Sequence, residues 1–122
     1  MIVRSILAAD QREEQVHGGK GQVSISRPLV SPDFVGPWHF VDYAVLPPGS
    51  SIGLHRHGED EELYFILEGE GVMTVDGERR RVSRGDLILN RPGGTHGLEN
   101  DSDSELSILV IEVGLCERAS GK

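Results

Sequence analysis

The apolar positions of this chain fall in short runs that glycine, proline or acidic residues cut off. Val23-Ser24-Ile25-Ser26 alternates and predicts a half-buried strand. Trp38 to Leu46 is mostly apolar and predicts a buried strand closed by Pro47-Pro48-Gly49. Strand signals then become dense: Leu63 to Leu67, Gly71 to Val75, Arg79 to Val82, Leu87 to Asn90, Gly97 to Asn100 and Leu106 to Val113. Asp76-Gly77 is the strongest hairpin signal, because both turn residues tolerate positive φ. Pro28, Pro32 and Pro37 predict a loop. The polar stretch Ala8 to Val16 predicts a short helix or turn before the flexible His17-Gly18-Gly19-Lys20-Gly21. Many short strands with regular punctuation predict an all-β sandwich or barrel. Val72, Val75, Ile88, Leu89 and Ile108 predict an interior that is mostly apolar.

Composition narrows this picture. The chain has 122 residues, enough for one core and not for two. It reads as a single domain over 1–122, with an N-terminal segment over 1–37, the barrel over 38–115 and a short tail over 116–122. The net charge of −8 lacks the basic footprint of a nucleic-acid binder and disfavours an anionic membrane surface. No apolar run reaches the roughly 20 residues of a membrane span, and Met1 to Asp10 is too short for a secretory signal. Cys116 is the only cysteine; it ends an apolar run, reads as a packed or incidental thiol, and fits a cytoplasmic protein without disulfides.

The chemistry concentrates in the segment from Gly49 to Gly69. His55 and His57 are two apart, so on a strand their imidazoles share one face and can bind one metal. Glu62 lies an odd number of residues further on and needs a bend to join them; Gly58 suits that bend. This segment resembles the first motif of the cupin superfamily, G-x5-H-x-H-x4-E-x6-G, at every fixed position. Glu61 is the rival ligand, because the motif is also written with x3, but Glu62 fits the following spacing to Gly69. The second cupin motif, G-x5-P-x-G-x2-H-x3-N, is matched by Gly85, His96 and Asn100, whereas Pro92 and Gly94 are read one place late.

The resemblance covers roughly residues 40 to 113. It implies a cupin jelly-roll β-barrel of two facing antiparallel sheets, with one divalent metal held inside by His55, His57, Glu62 and His96. Three imidazoles and a carboxylate suit Mn, Fe, Ni, Co, Zn or Cu. Some similar small cupins are labelled oxalate-decarboxylase-like or sugar-isomerase-like. The expected activity is that of a dioxygenase, decarboxylase, lyase or isomerase on a small organic acid or oxygenated metabolite; the alternative is a non-catalytic binding module. Tyr64 and His39 are candidate catalytic residues facing the cavity, and Arg91 or one of Arg79, Arg80, Arg81 and Arg84 is a candidate for a substrate carboxylate. His17 lies outside both motifs and reads as a surface or interface residue. The expected partners are a small molecule and a second copy in a homodimer, with the N-terminal segment covering a sheet edge across the two-fold axis. Protons are expected to displace the metal below roughly pH 6.

Overall fold

The computed structural model of the chain describes residues 1–115. Cys116 and the tail expected over 116–122 lie outside these residues. Ten strands and one short 3-10 turn (Ser31–Asp33) make up the described chain: β1 (Gln11–Glu14), β2 (Val23–Val30), β3 (Trp38–Leu46), β4 (Ser51–Arg56), β5 (Asp60–Glu68), β6 (Glu70–Val75), β7 (Glu78–Ser83), β8 (Leu87–Asn90), β9 (Thr95–Glu99) and β10 (Leu106–Gly114). They form a six-stranded sheet in the order β1-β2-β3-β10-β5-β8 and a four-stranded sheet in the order β4-β9-β6-β7. Every pairing is antiparallel. This is the expected two-sheet jelly roll, and no helix among the described residues is long and apolar enough to cross a membrane.

One end of the space between the sheets is filled by side chains. Leu46, Ile66, Leu98, Leu106 and Ile108 are fully buried there, each contributing about 2 kcal/mol relative to exposure. Ile108 faces inward as expected, but Leu89 points outward and is 52% exposed; Met73 and Val82 fill the core instead. Asp76 and Gly77 both have positive φ, 49° and 82°, and join β6 to β7 as the dipeptide predicts. Asn100, the last residue of the second motif, is a buried staple. Its amide donates to the carbonyls of Leu46 and Ser104, each at 2.8 Å, and its oxygen accepts from the Ser102 backbone and hydroxyl.

Two expectations for the N-terminal part fail. Within Ala8 to Val16, Gln11–Glu14 is a strand, not a helix, and pairs with β2 of its own chain. Its polar residues alternate between a cavity and solvent, so hydrophobic patterning carries no trace of it. The segment does cover an edge, as expected, through the pairing of β1 with β2. Pro28 lies inside β2, where the register slips between Ser26 and Leu29; such a bulge spares the missing N–H.

Asn100→Ala leaves the carbonyls of Leu46 and Ser104 without this donor. It should cost about 2 kcal/mol or more of stability, read as a lower urea midpoint with an unchanged slope.

Candidate metal centre

Three strands bring the motif residues together. His55 is paired with His96 in the β4–β9 register, after a bulge between Ile52 and His55. His57 follows the end of β4, and its N–H donates to the Gly94 carbonyl at 2.9 Å. The Gly58 carbonyl in turn accepts from Gly93 N–H at 3.0 Å, so the bend before β5 is tied to the turn before β9. That bend re-aims the chain, and Glu62 enters β5 facing inward with 5% exposure. Glu61, the next residue along the pleat, points the other way.

The second motif departs less than expected. Gly93, not Gly94, has the positive φ of 75° and occupies the motif's glycine position; Gly94 N–H closes the turn on the Arg91 carbonyl at 3.1 Å. Pro followed by a positive-φ glycine suits a type II turn. Only the proline is displaced.

The resulting geometry is that of a ligand shell. His55 Nε2 lies 3.1 Å from His57 Nε2, which lies 3.2 Å from His96 Nε2. Glu62 Oε1 is 3.2 Å from His96 Nε2 and 3.4 Å from His57 Nε2. Ligand atoms about 2.1 Å from one ion would be spaced by about 3.0 Å at right angles and about 3.4 Å at tetrahedral angles. The four residues therefore fit one cation and form a cluster that can hold it. Gly53 O accepts from His55 Nδ1 at 2.8 Å, and Asp60 Oδ1 accepts from His57 Nδ1 at 2.9 Å. Both contacts place the ring proton on Nδ1 and leave Nε2 free to ligate. His96 Nδ1 is buried with no partner among the described residues.

Burial and mutual proximity set the electrostatics. Desolvation, with help from neighbouring imidazoles, pushes His55 and His96 down to about 4. Burial also raises Glu62 and its cross-strand neighbour Glu112. Tyr64, 2% exposed, is held well above the usual phenol range by burial and then by Glu62; its hydroxyl stands 3.5 Å from His96 Nε2.

A cavity of about 390 Å³ opens beside the cluster. It is more charged than the sequence suggested. Arg12, Arg27 and Arg56 line it together with Glu14, Asp42, Asp60, Glu62 and Glu112. Five carboxylates against three guanidiniums leave an excess of two negative charges, which one divalent cation balances. Arg27 donates from Nε and Nη2 to the two Asp42 oxygens at 2.7 and 3.0 Å, and its guanidinium lies 3.9 Å over the centre of the Phe40 ring. Tyr64 lines the cavity as expected. His39 does not; its ring is 44% exposed and bonds Glu112 Oε2 through Nδ1 at 2.8 Å. His39, Asp60 and Glu112 make a smaller second cluster at the rim. Arg91 is exposed in its turn and is not among the lining residues, and Arg81 is paired with Asp101 on the surface.

His17 is exposed, as the sequence suggested, but it also reaches the metal cluster. Its ring stacks on that of His55 at 3.6 Å between centroids and 12° between planes. A strap over residues 16–21 delivers it. Val16 O accepts from Gly19 N and Gly53 N at 2.9 and 3.0 Å, and Lys20 O accepts from Ser51 N at 2.9 Å. A Cβ on Gly53 would sit 2.1 Å from His17 O, and one on Gly19 would sit 2.1 Å from Ser51 O, so both glycines allow the close approach. His17 itself has φ 51°. Asp42 and Glu112 did carry a signal: each is a lone acid at an inward position of an apolar strand.

The comparisons with known proteins agree with this geometry. The cupin domain family matches residues 42–112. The chain is 34% identical over 111 residues to an oxalate-binding protein of Thermotoga maritima, covering 91% of this chain and 92% of that protein. It is 32% identical over 109 residues to a gentisate 1,2-dioxygenase of a Streptomyces species, covering 83% of this chain but 30% of that protein. Among solved structures, a predicted oxalate decarboxylase from Thermotoga maritima superposes with a TM-score of 0.91 at 30% identity, covering 93% of this chain and 100% of that one.

Two outcomes are expected. His17→Ala should weaken metal binding by about tenfold, the scale of losing an outer-sphere support; His17→Phe should keep most of it, as read by competition with a chromophoric chelator. In metal-free protein, His55 and His96 stay neutral in the fold down to about pH 4 but charge near pH 6.5 when unfolded. The unfolded chain then binds more protons, so stability should fall as pH drops from about 6.5 to about 4. Glu62, whose pKa is raised, opposes this loss, so Glu62→Gln should steepen it. Urea midpoints in chelator that stay flat for both proteins would contradict the burial of neutral imidazoles.

Proposed function

On the footing that the chain belongs to the cupin domain family, we propose that it is a metal-dependent enzyme acting on a small organic acid held in the cavity beside the ion. The observation that carries this reading is the convergence of His55, His57, Glu62 and His96 beside a cavity whose carboxylates exceed its arginines by two charges. The whole chain is taken as one domain in this reading. The donor set suits one Mn, Fe, Co, Ni, Zn or Cu(II) ion, which when bound would supply Lewis-acid, water-activating or dioxygen chemistry.

The chain's own residues perform the other tasks. Arg27 is locked on one edge by Asp42 and on one face by Phe40, and its remaining N–H groups can orient a substrate carboxylate. It takes the role expected of Arg91 or the β7 arginines. Tyr64, kept protonated by burial, can hold or donate a proton beside His96. Asp60 and the Gly53 carbonyl hold His57 and His55 with Nε2 inward, and His17 closes the cavity over His55. The cavity is net negative without a cation, so an anionic acid should enter only after the metal.

The names of two relatives support a small acid, since both oxalate and gentisate are carboxylic acids. A binding protein without turnover is the second reading, favoured by the oxalate-binding relative, which aligns along nearly its whole length.

Apo protein titrated with Mn, Fe, Ni and Zn should bind one ion per chain, and His96→Ala should weaken that binding at least about tenfold, or 1.4 kcal/mol. Calorimetry of the metal-loaded protein with oxalate and related acids should give heat that apo protein and Arg27→Met lack. Loss of the acid or appearance of products then separates enzyme from binding protein. If His96→Ala binds metal as tightly as the parent, the four-ligand site is wrong.

A further inference from the structure

An imidazole that gives Nε2 to an ion keeps its proton on Nδ1, and that proton needs an acceptor when it is buried. Gly53 O and Asp60 Oδ1 serve His55 and His57 in this way. His96 Nδ1 is buried and finds no acceptor among the described residues. The interior holds a second group of the same kind. Asn90 is 2% exposed, and neither Nδ2 nor Oδ1 has a hydrogen-bond partner among the described residues. A buried amide with both ends unpaired is costly and rare in folded proteins.

Register places Asn90 close to the centre. It is the last residue of β8 and lies opposite Glu62 of β5, as Ile88 lies opposite Tyr64. Opposed residues of paired strands share a face, so Asn90 enters the interior beside Glu62. Glu62 Oε1 is 3.2 Å from His96 Nε2. Asn90 is not among the residues that line the 390 Å³ cavity, so it stands on the flank of Glu62 away from the substrate side. On the facing sheet, His96 lies between His55 of β4 and Val75 of β6. Its Nε2 is turned to His57 and Glu62, which leaves Nδ1, across the ring, on the β6 side. β6 and β8 face each other there: Val75 and Ile88 line one further cavity together.

The unpaired atoms are complementary. With Nε2 committed to an ion, His96 Nδ1 is a donor without an acceptor, and Asn90 Oδ1 is an acceptor without a donor. We propose that Asn90 is the positioning residue of His96, its carboxamide oxygen taking the Nδ1 proton of the fourth ligand through one buried water. The two side chains make no direct hydrogen bond, so a water is the link. An interior water is held by about three polar groups; the imidazole N–H and the two ends of the amide supply them. An amide does this without adding a further negative charge beside Glu62, Asp60 and Glu112. The inference rests on the four-ligand reading of the centre.

The test uses the zinc-loaded protein with 15N-labelled histidine. In the parent, the His96 Nδ1 proton should resonate at low field, like those of His55 and His57, and show a cross-peak to water. Asn90→Val, which removes the acceptor and suits a strand, should move that resonance upfield and leave the other two in place. It should also weaken zinc binding by about tenfold, the scale of losing an outer-sphere partner. Asn90→Asp, which keeps an acceptor oxygen, should retain the low-field resonance. In chelator, Asn90→Val should be at least as stable as the parent, because the unpaired amide is gone. A parent His96 proton at the position of a free imidazole, or without a water cross-peak, overturns the proposal. So does an Asn90→Val variant with unchanged resonance and unchanged affinity, which would make Asn90 a packing residue only. If zinc binding is weakened by His96→Ala but not by Asn90→Val, only this inference falls; if His96→Ala binds as tightly as the parent, the four-ligand reading falls and takes this inference with it.

Discussion

Three imidazole lone pairs and a carboxylate face one another across little more than 3 Å inside the protein. Without a cation that arrangement is repulsive, and burial removes the water that would relieve it. The surrounding structure is organised to hold it. Backbone and carboxylate acceptors fix two rings from behind, the backbone ties between Gly58 and Gly93 and between His57 and Gly94 bring β9 and β5 to β4, and an inward bend delivers Glu62. Lowered histidine and raised glutamate pKa values are the electrostatic record of the same constraint. The filled end of the barrel, with its fully buried aliphatic side chains, supplies the stability that such a site consumes.

Much of this was legible from residue spacing. The alternation of strands put His55 and His57 together, the Asp-Gly dipeptide marked its hairpin, and the histidine after the displaced proline was still reached by counting. The parts that were not legible depend on register between distant strands. Arg27 and Asp42 meet because β2 slips past Pro28 and pairs with β3, which no local pattern states. β1 is polar on both sides, because one side faces a charged cavity, so it lacks the periodicity that announces a strand. His17 sits at the site through a strap whose docking depends on two glycines on separate segments.

The outer faces extend the same lesson. A sequence shows that Leu63 to Leu67 of β5 and Ile108 to Ile111 of β10 are almost wholly apolar, and that suggests burial on both sides; only the fold tells which side the chain covers for itself. The four-stranded sheet turns Arg79 and Arg81 outward to solvent.

The strap and β1 also bear on how an ion reaches or leaves the centre. They are held by an edge ladder, a few backbone contacts and Val16 against the core, with far less aliphatic packing than the other end of the barrel. Segments of that kind open at a lower free energy than the core. Fraying of residues 16–21 alone would lift His17 off His55 and leave every strand pairing in place. Exchange of the ion is then governed by the lifetime of a local contact at the N-terminus, and a protein resistant to global unfolding can still trade its metal quickly.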